Sequence, residues 1–73
     1  MASIVVFVRG GMVHTVWTDT KEAIEVRVVD QDTERIEDEY LRQIDGSPGH
    51  LTEMPVWVEK AKVKTVFNME TSE

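Results

Sequence analysis

Asp30, Asp32 and Glu34 form a D-x-D-x-E string, the way the ligand set of a calcium loop opens. Such a loop then needs glycine at its sixth position and a bidentate glutamate at its twelfth. Arg35 and Leu41 stand there instead. A strand end followed by a helix cap accounts for the same three acids, although a small-ligand or metal-binding accessory domain using Asp30, Asp32 and Glu34 remains an alternative. His14 and His50 are the only histidines and there is no cysteine, so a transition-metal site would have to gather carboxylates around a single ring. His14 reads as a strand residue and His50 as a solvated loop residue. Ser3 and Ser47 lack a G-x-S-x-G context, and Gly10-Gly11 lacks the G-x-x-x-x-G-K-[ST] spacing of a phosphate loop. The expectation is a non-enzymatic protein with no catalytic residue, no cofactor and no metal.

The acidic run has more content. Between positions 30 and 45 lie seven acids and two arginines, which is nearly all of the net charge of −6. One reading is an ordinary solvated helix face, with Asp38 and Arg42 as an i,i+4 pair contributing about 0.3–0.5 kcal/mol. The sharper reading is a row of carboxylates, Glu34, Glu37 and Asp38 foremost, that occupies a basic groove on a partner such as a nucleic-acid-binding protein. Lys60, Lys62 and Lys64 are the only basic cluster, and on a strand they would guard an edge against pairing with other chains.

These residues need elements to position them. Residues 4–17, IVVFVRGGMVHTVW, read as two strand-forming runs about Gly10-Gly11, a pair suited to a type I′ turn with φ > 0 at both central positions. The implied register pairs Arg9 with Met12, Val8 with Val13, Phe7 with His14 and Ile4 with Trp17. It places Ile4, Val6, Val8, Val13, Thr15 and Trp17 on one face. Both faces are mostly apolar, so the hairpin is expected inside a sheet with something packed on each side. A third strand is expected over 23–29. A helix is expected over 33–44, with Ile36, Tyr40, Leu41 and Ile44 as its stripe and Arg42, Gly46 and Pro48 as stop signals. Residues 45–50, DGSPGH, read as a loop, and 54–58 as extended. Residues 59–69 favour a strand on β-branched content, while a helix would gather Val63, Val66 and Phe67 into a narrow arc. The tail from 71 to 73 should fray.

The expected fold class is therefore α+β. A small antiparallel sheet of N-terminal hairpin, third strand and one C-terminal strand is packed by one acidic amphipathic helix. Seventy-three residues make a single domain, 1–73, with a thin core and no disulfide to staple it. No apolar run reaches the ~20 residues of a membrane span, and the first residues lack the basic start of a secretory signal. The expectation is a soluble cytoplasmic protein. Its acidity argues against direct nucleic-acid or membrane binding and for proteins with basic surfaces. An exposed tryptophan, Trp17 or Trp57, would be the first candidate for an interface anchor.

The string IVVFVRGGMVHTVWTD, followed by a short polar gap and EVRVVDQD, resembles a group of small bacterial proteins often encoded on phages, plasmids and integrated mobile elements. These begin with a VxGGxV hairpin followed by a VxVxDxD strand end, and the likeness covers residues 4–32. It implies a C-terminus with a strand followed by a short helix, and a mobile-element accessory protein acting on a host defence or regulatory system. It carries over no site residue. The functional expectation is an acidic protein-binding module, an anti-defence or regulatory inhibitor in that setting. A self-associating domain, forming a symmetric homodimer through hairpin faces that 73 residues are too few to cover, is the alternative.

Overall fold

The computed structural model describes residues 1–72. In chain order the elements are β1 (Ile4–Arg9), β2 (Met12–Thr18), β3 (Val26–Asp30), a single 3-10 turn (Asp38–Tyr40), β4 (Leu41–Ile44), β5 (Ser47–Met54), β6 (Val56–Val58) and α1 (Lys60–Phe67). The fold is α+β, with two sheets instead of one. The first has strand order β1-β2-β6 and the second β3-β5-β4. No helix among the described residues is long and apolar enough to cross a membrane.

Gly10 and Gly11 make the first turn, at φ 60° and 77°, as the sequence requires. Arg9 pairs with Met12 and Val8 with Val13. The register then slips by one residue: Phe7 lies opposite Thr15 and Ile4 opposite Thr18, leaving His14 as the extra residue of a bulge. A one-residue slip exchanges the faces of β2. Val16 and Thr18, not Thr15 and Trp17, therefore share a side with Ile4 and Val6. Trp17 joins Phe7 on the other side, where their rings meet edge to face at 4.4 Å.

The core is very small. Among the described residues, Val16, Thr18 and Val63 are the fully buried side chains. The Thr18 hydroxyl is satisfied, donating to the Ser3 carbonyl at 3.3 Å. Burying Val63 against this side of the sheet is what decides residues 59–69, which form a helix and not the favoured strand. The Glu59 amide donates to the Thr18 carbonyl at 2.9 Å and the Val63 amide donates to the Glu59 carbonyl at 2.9 Å, so the chain passes from parallel pairing directly into a helical turn. Tertiary burial here outweighs β-propensity. Lys60, Lys62 and Lys64 thus lie on α1, with Lys62 3.1 Å from Glu59, and do not guard a strand edge. The hairpin does not lie inside a sheet: β1 is one of the sheet's two edges, and α1 packs against β1 and β2.

The expected acidic helix over 33–44 does not form. Residues 31–37 are irregular, and Leu41–Ile44 is a strand paired with Ser47–His50 through a two-residue turn at Asp45 (φ 52°) and Gly46 (φ 82°). Asp-Gly is a type I′ hairpin turn, and it makes β5 a strand with neighbours on both sides. A helix would instead have set Glu34 against Asp38 at i,i+4, a repulsive spacing. Pro48 lies in the part of β5 that pairs only with β4, where its missing amide matters least. The third strand begins at Val26, three residues later than expected, and belongs to the second sheet. Thr71 and Ser72 form no regular element, and Glu73, the end of the tail expected to fray, lies outside the described residues.

Gly49 is buried in β5, and a Cβ there would sit 2.9 Å from Val29 Cγ1 and 3.4 Å from Ile44 Cδ1. Gly49→Val is expected to lower stability by about 1–3 kcal/mol through overpacking. In a chain of this size that is a fall in Tm of roughly 4–20 °C. Thermal unfolding checks it, and the loss should shrink in a Val29→Ala background, where the nearest methyl is gone.

Candidate functional site

The second sheet has two unlike sides. Antiparallel pairing sets Val26 opposite Met54, Val28 opposite Thr52 and Asp30 opposite His50, so these six side chains share one side of the ladder. The tip of the β1-β2 hairpin stands over it. Between them is an open cleft of about 440 Å3, bordered by Val8, Met12 and Val13 from the hairpin and by Val28, His50, Thr52 and Met54 from the sheet. It continues past Met12, Asp30 and His50 into a second lobe of similar size, bordered by Asp32, Glu34, Arg35 and Ile36. The cleft is apolar along its floor and carries carboxylates at one end.

The alternate acids behave as a strand end. Asp30 Oδ1 accepts the Asp32 amide at 2.9 Å, a local turn that commits one carboxylate oxygen to the backbone. Asp30, Asp32 and Glu34 all border the second lobe, but no group of three metal-ligating side chains converges among the described residues. Of the three residues singled out for interaction, Glu34 stands at the cleft. Glu37 is exposed ahead of the 3-10 turn, and Asp38 borders a separate hollow with Thr33, Leu41 and Arg42. All three are exposed, on an irregular connection and not on one helix face. The carboxylates are therefore spread along the β3–β4 connection in place of a ruled row. Asp38 and Arg42 are not an i,i+4 helical pair. The Arg42 guanidinium donates to the carbonyls of Glu39 (3.3 Å) and Leu41 (3.1 Å).

The two histidines have distinct settings. His14, at the bulge, lies beside the Arg9 guanidinium, which is 3.3 Å from each ring nitrogen. His50 is not a solvated loop residue. It is half-buried in β5 and borders both lobes of the cleft. In the sequence, DGSPGH places His50 in a loop and Met54 falls in a separate extended segment. Thr52 gives no signal, because Leu51 to Met54 does not alternate between apolar and polar residues. On the outer side of the second sheet, Arg27 and Glu53 face each other across the ladder as an ion pair.

Aromatic side chains lie on the far side of the first sheet. Parallel pairing sets Trp57 beside Trp17, on the side that also holds Phe7. Trp57 is 60% exposed, and the Lys62 ammonium lies 5.3 Å from the Trp17 ring centroid, within cation–π range. Trp57 is thus the tryptophan available to a partner. No family model, curated protein or solved structure matches this chain.

Proposed function

We propose that the chain is a non-enzymatic binding module that receives a segment of a larger protein carrying both apolar and basic side chains. The observation behind this reading is the cleft between Val28, Thr52 and Met54 of the sheet and Met12 and Val13 of the hairpin, whose far end holds three carboxylates, Asp30, Asp32 and Glu34, against one cation, Arg35. Apolar burial supplies affinity along the floor, and the carboxylates steer basic residues toward the end and fix the direction of the segment. In the mobile-element setting that the N-terminal resemblance implies, such a module serves in the cytoplasm as an anti-defence or regulatory inhibitor whose target has a basic surface.

A triple charge reversal, Glu34→Lys with Glu37→Lys and Asp38→Lys, tests it. All three side chains are exposed, so the fold should tolerate the change. Proteins retained from a host lysate by the immobilised wild-type chain at low salt should elute as salt rises, and the triple variant should retain them at least tenfold less. An identical set retained by both at both salt concentrations would remove Glu34, Glu37 and Asp38 from the mechanism.

A further inference from the structure

The chain exposes far more surface than a protomer of its mass should. Its accessible area is 6388 Å2 at 8.4 kDa, whereas a folded monomer of that mass exposes about 4,600 Å2. The excess of roughly 1,800 Å2 is more than twice the ~800 Å2 that each partner buries in a standard interface, and falls in the range of obligate homodimers. The radius of gyration is 14.7 Å, against about 11 Å for a compact chain of this length, and part of the excess comes from the sparse packing between the two sheets.

One edge is built to receive a second copy. Four strands are sheet edges, namely β1, β6, β3 and β4. β6 has three residues, β4 has four with Arg42 and Gln43 at its centre, and β3 carries Arg27. β1 is the longest of them, and from Ile4 to Val8 it holds no charge, proline or glycine that would discourage pairing. Its side chains are uncovered, Val6 at 51% and Val8 at 64%. Beside it an apolar hollow of about 250 Å3 is bordered by Ile4, Val66, Phe67 and Met69.

We infer that the chain is a symmetric homodimer in which β1 pairs antiparallel with β1 of the second copy, joining the two three-stranded sheets into one of six strands. The hollow beside Phe67 and Met69 is covered in the same contact. The two-fold axis stands perpendicular to the sheet, so each face maps onto itself. Side chains alternate between faces, so only registers in which one residue lies opposite its own copy are allowed. The middle of β1 offers Val6 opposite Val6 or Phe7 opposite Phe7. The inference rests on the edge of β1, of which only Val8 borders the cleft, and leaves the acidic end of the cleft free, so the charge-reversal test and the dimer test can fail separately.

Sedimentation equilibrium across a dilution series should give twice the 8.4 kDa protomer mass for the wild-type chain. Val6→Lys places two ammonium groups on one face beside the two-fold axis, directly opposed in the Val6 register and diagonal in the Phe7 register, and should halve that mass while the circular dichroism spectrum is kept. The natural chain has no cysteine, so Val6→Cys and Phe7→Cys give a second, independent readout. Under mild oxidation one of them should become a covalent dimer, and the exposed Thr65→Cys on α1 should not. The cysteine readout stands even where Val6→Lys fails to fold. A wild-type chain of single-protomer mass at every dilution overturns the inference. So does a dimer in which both β1 cysteines stay reduced, or one that folded Val6→Lys leaves intact.

Discussion

Val16→Asp is expected to leave the chain unfolded in buffer at 25 °C. Val16 has no accessible surface and shares the innermost position with Val63 and Thr18. A carboxylate there would lose its hydration, and neither of those two neighbours can supply a positive charge. An uncompensated buried charge of that kind is destabilising by several kcal/mol. A chain this short with so few buried side chains belongs near the low end, about 5 kcal/mol, of ordinary domain stabilities. The single substitution is thus comparable with the whole stability of the fold. Loss of the cooperative urea transition and of the strand signal in circular dichroism is the outcome to look for. Val29→Asp, at a partly exposed position on the outer side of the second sheet, is the matched control and should stay folded. A Val16→Asp chain with an unchanged urea midpoint would mean that α1 does not pack where the structure places it.

The reasons some elements were legible in the sequence and others were not are physical. Gly10-Gly11 left one solution, because only glycine enters the left-handed region freely at two successive positions. The bulge at His14 left no trace, since apolar residues on both faces of the hairpin erase the period that would reveal a slip. Residues 41–46 are the instructive failure. Leu41 and Ile44 fit a helical stripe, and Arg42, Gly46 and Pro48 fit a helix end, but Asp-Gly is equally the centre of a type I′ hairpin turn. Only the partner strand decides between these, and β5 went unrecognised. Its second half, Leu51 to Met54, pairs with Val26 to Val29, yet its apolar residues stand at the two ends with Thr52 and Glu53 between, so no period of two marks it as a strand. The C-terminal helix was legible as the arc of Val63, Val66 and Phe67, with the decision resting on a burial site made by β2, some 45 residues earlier. The exposure of Glu34, Glu37 and Asp38 followed from their charge, whereas their arrangement followed from the hairpin that replaced the helix. His50 and Met54 border the cleft for the same reason.

The turn that begins the fold supports a second large effect. Gly10→Val should lower stability by about 1–3 kcal/mol, the strain of holding a β-branched residue at positive φ. Gly10 has φ 60°, and nothing lies within 4 Å of where its Cβ would be. The penalty there is purely one of backbone conformation, unlike that at Gly49, where φ is not positive and the obstacle is Val29. The two glycines therefore make opposite demands on a substitute. At Gly10, asparagine should be tolerated far better than valine, because its short polar side chain enters the left-handed region readily. At Gly49, asparagine should fare no better than valine, since either brings a Cβ against the same methyl group. Strain at the tip would also loosen Met12 and Val13, which border the cleft. Tm values for Gly10→Val and Gly10→Asn, measured side by side, decide the matter. Valine should fall by roughly 4–20 °C for a domain of this size and asparagine by much less. Equal values would place the turn at other residues, and the Arg9–Met12 and Val8–Val13 pairs that the turn fixes would be lost with it.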